Sequence, residues 1–392
     1  MHTDDCDCRD LRECTRVHHV RDLRYILITG RLRLYNEKNI DMNQSKIIHG
    51  GEYKDNYIEH DFSVNVNPVT MPQSVITAMH DAIEFADRYP ERQSESLTAE
   101  LASALHIKES EIVIGNGSSE LFMAVANAFS PRKIVIPVPS FFGYEYAATA
   151  GENDVNYVEL SKEDDFAFTK EFVQELKERM ETEDQGLLLY LANPNNPTGK
   201  TIDSDLLSEI IRFCKEHGII VVLDECFYEF TNENKSMFQR IDEFPNLIVI
   251  SSFTKTFSIP GIRLGYLACS DENTLKRIRR KLPEWNVSSI AQAAGIACLK
   301  HPEHMMKSAE YVKNEREYLE GNLKELGIKV FDSDANFLLI YSEKPLYEEL
   351  LRRGIGIRDA SNFRGLEKGF YRIAVKSHEE NELFIQVLKE IL

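Results

Sequence analysis

From residue 112 onward the chain alternates short, β-branched, wholly apolar runs with longer amphipathic ones, and few folds accommodate that alternation. The predicted strands are Ile112–Gly115, Lys133–Pro137, Leu187–Leu191, Ile219–Asp224, Leu247–Ser251 and Leu264–Ala268. Helix-like stretches separate them, among them Glu120–Phe129, Ser204–His217 and Asn273–Lys281. A strand that is apolar on both faces must be covered on both. The expected class is therefore α/β, with a mainly parallel sheet between helices. From about residue 282, helical patterns at Glu303–Leu326 and Ser377–Leu392 mix with the runs Phe337–Tyr341 and Tyr371–Val375, which predicts a smaller α+β C-terminal domain. The predicted organisation is an extension at 1–41, read as disordered, an N-terminal arm at 42–70, a large domain at 71–281 and a small one at 282–392.

Charge narrows the choice of partners. The chain of 392 residues has 46 Lys+Arg against 64 Asp+Glu, a formal charge of −18. The extension holds eight acidic and eight basic residues, so the whole excess lies in 42–392. Nucleic acid and anionic membranes both require a basic surface, and neither is expected as a partner. Apolar runs such as Gly218–Leu223 fall far short of the ~20 residues of a membrane span. With no signal peptide in evidence, the expected location is the cytoplasm. Cys214, Cys226, Cys269 and Cys298 stand in apolar contexts and read as buried free thiols. Cys6, Cys8 and Cys14 lie near His18 and His19 but form no C-x-x-C pair, and no metal site is expected.

Parallel sheets place ligands just beyond the carboxyl ends of their strands, and five of those ends are unusual here. The first leads through Gly117, Ser118 and Ser119 into a helix, offering N–H groups, hydroxyls and a positive dipole end to a phosphate. The second carries Phe141, Phe142 and Tyr144, able to stack on a flat ligand or to fill a core. The third is Asn193-Pro194-Asn195-Asn196-Pro197-Thr198-Gly199, a rigid loop presenting amides. The fourth is Asp224-Glu225, costly to bury without a cationic partner such as a ring nitrogen. The fifth holds Ser252 and Lys255, the latter with no acid nearby in sequence, and continues through Pro260-Gly261 to Arg263. Desolvation lowers a lysine pKa and frees its amine for a Schiff base, and Arg263 with Ser252 suits a phosphate. Singly, each has a plainer reading: a helix cap, a core ring, a turn, a lysine reaching solvent. Together they are the parts of a pyridoxal phosphate site.

In that order and spacing these motifs resemble the fold-type-I, class I/II aminotransferase family, over about residues 46–392. The resemblance implies that Lys255 forms the Schiff base and Asp224 pairs the pyridine nitrogen. It places Asn196 on the ring oxygen, Phe141 against the ring, and Ser118, Ser119, Ser252 and Arg263 on the phosphate. Tyr89, in Arg88-Tyr89-Pro90, resembles a tyrosine that reaches the neighbouring subunit's cofactor phosphate, implying a homodimer with shared sites. Arg372 resembles the arginine that reads the substrate's anionic group.

Two branches look closest, the threonine-phosphate decarboxylases of cobalamin synthesis and the histidinol-phosphate aminotransferases. His49-Gly50-Gly51, Asp61–Pro68, Ile259–Leu267 and Phe227, where many relatives have tyrosine, favour the decarboxylases. The implied substrate is a small phosphorylated amino acid, L-threonine O-3-phosphate or L-serine O-phosphate, bound by His49, Asn196, Arg358 and Arg372. Lys376 stands where an arginine is expected. The alternative is transamination of histidinol phosphate with 2-oxoglutarate.

Overall fold

The computed structural model describes residues 50–51, 57–130, 132–181, 186–231 and 236–392, and the backbone of 27–28 and 31–32. The chain falls into two units, Met1–Ile48 and His49–Leu392. In the first, β1 (Leu27–Ile28) and β2 (Arg31–Leu32) form an antiparallel pair. The disorder expected for the rest of 1–41, and the question of a metal at Cys6, Cys8 and Cys14, lie outside the described residues.

In the second unit a short strand, β3 (His60–Asp61), precedes the main sheet. That sheet comprises β4 (Ile112–Gly115), β5 (Lys133–Val138), β6 (Asp154–Glu159), β7 (Leu187–Ala192), β8 (Ile220–Asp224), β9 (Leu247–Ser252) and β10 (Gly265–Ala268). Its spatial order is β4-β10-β9-β8-β7-β5-β6. Strand β10 runs antiparallel to both neighbours, β4 and β9, and the other pairings are parallel. The predicted strands all form, within a residue at either end. Strand β6 was not legible because it is an edge strand, paired only with β5, and its exposed and half-exposed residues lack an apolar run.

The strands are apolar on both faces because each face meets helices. Leu187, Leu189 and Leu191 of β7 pack into one core and Leu188, Tyr190 and Ala192 into the other. The first core is closed by α1 (Gln73–Ile83) and α2 (Glu95–Leu105). Helices α3 (Ser118–Phe129) and α4 (Phe142–Ala150) close the second. On the first face follow α5 (Lys170–Glu181) and α6 (Ser204–Glu216), the latter capped by Asp203 accepting from the N–H groups of Asp205 and Leu206. The short α7 (Phe253–Thr256) follows β9; then α8 (Glu272–Arg279) joins the second face and α9 (Ser289–Leu299) the first.

The C-terminal region begins with α10 (Pro302–Glu325) and adds α11 (Leu346–Leu351) and α12 (His378–Ile391). Its strands are β11 (Lys329–Val330), β12 (Phe337–Tyr341), β13 (Ile355–Gly356), β14 (Arg358–Asp359) and β15 (Phe370–Ala374). Four of them form an antiparallel sheet in the order β11-β12-β15-β14, and β13 pairs in parallel with β3 of the arm. A third core unites this sheet with α10, α11 and α12, and Phe62 of the arm is part of it. Cys214, Cys226, Cys269 and Cys298 are buried and free. Among the described residues no helix is long and apolar enough to cross a membrane.

Phe62 is fully buried and stacks on Phe384 with ring centroids 4.6 Å apart. Phe62→Ala should therefore cost about 3–5 kcal/mol. The denaturation midpoint checks this, and an unshifted midpoint would mean that the arm contributes nothing to the core.

Candidate active site

Each functional side chain singled out in the main sheet sits at one polar end of it. At the end of β4, Gly117 has a φ of +79° and acts as N-cap of α3, with no side chain capping the helix. The plain reading of Ser118 or Ser119 as a cap does not hold; Ser118 and Ser119 are the first two helical residues. A Cβ at Gly117 would fall 2.6 Å from Nη2 of Arg263, and one at Gly265 would fall 2.6 Å from the N of Ser118. The β4–α3 turn, Arg263 and the start of β10 thus meet at a place only glycines allow. Ser252, buried at the end of β9, and Ser118 both lie against the Cys226 thiol, whereas Ser119 is exposed. Arg263 is steered by a bond from its Nη1 to the Pro260 carbonyl at 3.1 Å.

The asparagine loop after β7 divides its work. The N–H of Asn193 donates to the Asp224 carbonyl at 2.8 Å, and its Oδ1 accepts from the Ile202 N–H at 2.9 Å. Asn195 donates from Nδ2 to the Pro139 carbonyl at 2.9 Å and to Thr198 Oγ1 at 3.1 Å. These two build the loop, and Asn196 is the one turned to the site: its Oδ1 accepts from Arg372 Nη1 at 2.6 Å.

Asp224 is buried at the end of β8, and burial pushes its carboxyl pKa up. Its Oδ2 accepts from the Tyr144 hydroxyl at 2.5 Å and its Oδ1 from the Cys226 N–H at 2.9 Å. Phe141, N-cap of α4, meets Tyr144 edge-on at 5.6 Å. The sequence reading noted Tyr144 without giving it a role; the signal was its i+3 spacing from Phe141, which sets both on one helix face.

Lys255 projects from the α7 turn with Nζ 5.6 Å from the centroid of Phe227. Burial, then repulsion from Arg372, lowers its pKa from the usual 10.5 to about 8. The turn is fastened from outside: Asn67 N–H donates to the Lys255 carbonyl at 3.0 Å, and Asn67 Nδ2 to the Thr256 carbonyl and to Ser308 Oγ, each at 2.6 Å. The sequence reading holds Asn67 only as part of the Asp61–Pro68 segment; its fastening role is not legible there, for its partners are 189 and 241 residues away.

The second sheet supplies cations. Arg358 and Arg372, both buried, stand directly opposite each other in the β14–β15 register. Arg372 also donates from Nη2 to the Ser63 carbonyl at 2.8 Å, and Arg358 from Nη2 to Asn362 Oδ1 at 2.7 Å. Like charges facing across a ladder destabilise it, and anionic ligands would relieve that repulsion. Lys376 is partly buried, with its pKa lowered by burial, near Glu380 and Asp61. His49 lies outside the described residues. Tyr89 is 83% exposed and packs its ring on Trp285 at 5.0 Å, not on this cluster.

The chain matches the family model for aminotransferase class I and II over residues 58–388 and belongs to that family. Its members are pyridoxal phosphate enzymes of fold type I, which defines the class of this protein. Among relatives, the threonine-phosphate decarboxylase of Salmonella typhimurium is 32% identical over 336 residues, 85% of this chain and 91% of that one. A histidinol-phosphate aminotransferase of Caldanaerobacter subterraneus subsp. tengcongensis is 34% identical over 342 residues, 85% of this chain and 93% of that one. Among solved structures, the histidinol-phosphate aminotransferase of Clostridium acetobutylicum aligns with a TM-score of 0.78 at 31% identity, covering 85% of this chain and 98% of that one. The L-threonine-O-3-phosphate decarboxylase of Porphyromonas gingivalis aligns at 0.73 and 25%, covering 84% and 98%. The residues present fit the cofactor: an uncapped helix start beside an arginine for its phosphate, a buried acid, and a half-buried lysine with a lowered pKa.

A pKa of about 8 leaves half the Lys255 amine neutral near pH 8. In cofactor-free protein, reductive trapping of an aldehyde on Lys255 should rise with pH and reach its midpoint near 8. Peptide mass spectrometry reads this out; a midpoint near 10.5 would contradict the burial described.

Proposed function

We propose that this chain decarboxylates a small phosphorylated amino acid, L-threonine O-3-phosphate or L-serine O-phosphate, to the aminoalcohol phosphate, as its decarboxylase relatives' names suggest. The observation that carries the reading is the buried Arg358–Arg372 pair, which suits a ligand with two anionic ends. Histidinol phosphate has only one, and in the alternative reaction the pair would be matched by 2-oxoglutarate alone. Phe227 adds to it, since only Asn196 of the two positions then offers a polar group to a ring oxygen. The second reading, transamination of histidinol phosphate with 2-oxoglutarate, is supported by the higher TM-score of the aminotransferase from Clostridium acetobutylicum.

Ser118, Ser119, Ser252 and Arg263 would hold the cofactor phosphate, Phe141 the ring face, Asn196 the ring oxygen and Asp224 the ring nitrogen. Bound there, the cofactor supplies an aldehyde for the substrate amine and a ring that accepts electrons from a bond at the α-carbon. Lys255 would hold the cofactor, and its amine, whose pKa burial lowers, is the group placed to move a proton at the α-carbon. Arg358, Arg372 and His49 would hold the phosphate and carboxylate, and so decide which α-carbon bond stands perpendicular to the ring. A carboxylate held there would be the group lost, as CO₂, with Lys255 placed to return a proton to the α-carbon; a hydrogen held there would be the one Lys255 removes.

The exposed Tyr89–Trp285 pair, with exposed Tyr57, Ile83 and Phe85 in the same chain, supports a homodimer in which Tyr89 serves the partner's site.

Threonine phosphate or serine phosphate should release CO₂ with no keto acid present. A strict requirement for 2-oxoglutarate would overturn the decarboxylase reading and favour transamination. Lys255→Ala should remove the visible absorbance of the protein-bound cofactor and lower turnover by about 10²–10⁴-fold. In sedimentation velocity the chain should run as a dimer; a monomer at micromolar concentration would refute the shared site.

A further inference from the structure

Asp224 has a neighbour whose orientation is unusually well determined. Tyr144 is 1% exposed and sits among three rings: Phe122 at 5.1 Å, Tyr190 at 5.6 Å and Phe141 at 5.6 Å between centroids. Phe122 and Tyr190 are themselves buried to 1% exposure, so the phenol has no room to turn. Its hydroxyl is thereby aimed at Asp224 Oδ2, 2.5 Å away. Burial and the facing carboxylate push the phenol pKa well above its usual value. Tyr144 therefore remains a hydrogen-bond donor at any working pH, and a donor so placed favours the ionised carboxylate. The other titratable groups facing Asp224 are the Cys226 thiol, held protonated by burial, Lys255, Glu225 and Glu229.

We propose that Tyr144 is a positioning residue of the cofactor site, whose hydroxyl holds Asp224 as the carboxylate and so keeps the shared proton on the cofactor's ring nitrogen. The inference rests on the assignment of Asp224 to that nitrogen made above. A proton between a carboxylate and a pyridine nitrogen resides on the stronger base. Desolvation strengthens the carboxylate as a base, and each hydrogen bond donated to it weakens it again. Cys226 N–H supplies one such bond through the backbone, which no side-chain change removes. The Cys226 thiol adds a weak donor, and the Tyr144 hydroxyl supplies the strong side-chain one. Without the hydroxyl, the carboxylate gains about tenfold or more in proton affinity and draws the proton away from the ring.

Tyr144→Phe retains the ring packing and removes only the donor. In full-length holoenzyme carrying ¹⁵N-labelled cofactor, the ring-nitrogen resonance should move toward the unprotonated value, and its titration should fall by about one pH unit. An unchanged resonance overturns the proposal. Binding of the cofactor is then compared with that of its deaza analogue, in which carbon replaces the ring nitrogen. Wild type should prefer the cofactor, and Tyr144→Phe should lose about tenfold of that preference. Equal weakening for both ligands would make Tyr144 a packing residue only. If wild type itself shows no preference, the assignment of Asp224 fails instead. A readout free of mutation covers the case in which the variant does not fold: in wild type labelled with ¹³Cζ-tyrosine, the Tyr144 resonance should shift when the deaza analogue replaces the cofactor. No shift there overturns the inference.

Discussion

A carboxylate buried at the end of a central strand is costly, and much of this site offsets that cost. Asp224 closes β8, and groups from three other places converge on it: Tyr144 from α4, Cys226 N–H from its own turn, and Asn193 N–H on its carbonyl from the loop after β7. Remove the acid and Tyr144 and the Cys226 N–H lose their common partner, whereas the Asn193 bond to the backbone carbonyl stays. The adjoining cations follow the same logic. Arg372 raises the cost of charge on Lys255 on one side and faces Arg358 across the ladder on the other, in a protein of formal charge −18. A net charge of that sign opposes long-range attraction of an anion, so paired guanidinium groups act on one chiefly at short range.

Much of this was legible in the sequence because parallel sheets write themselves plainly. Runs such as Leu187–Leu191 have no polar face, so they announce helices on both sides, and the residues just past their ends are the natural candidates. Lys255, Asp224, the asparagine loop and Arg263 all stand just past such runs. What was not legible depends on contacts distant in sequence or on register. The facing of Arg358 and Arg372 exists only once β14 pairs with β15, a pairing no local pattern reveals. Asn67 reads as an ordinary arm residue, yet it fastens the lysine turn to α10. Composition alone does not separate the three asparagines of one loop; packing makes two of them structural and turns Asn196 to Arg372.

The reversal of β10 has a bearing on how this part of the chain tolerates change. Because β10 runs against β9, Gly265 pairs directly with Ser252, and the whole segment between them is a closed excursion off the sheet's polar edge. Both Lys255 and Arg263 ride on it. A parallel connection would have sent the chain around a helix, leaving the spacing of the two residues to distant packing. Here the spacing is counted out along a single short loop with both ends clamped. Substitutions within it leave that count intact, whereas one residue inserted or lost would move the amine and the guanidinium relative to each other. The segment is therefore closed to drift in length, and only its exposed positions, Pro260 and Gly261, lie clear of the core and of the two functional side chains.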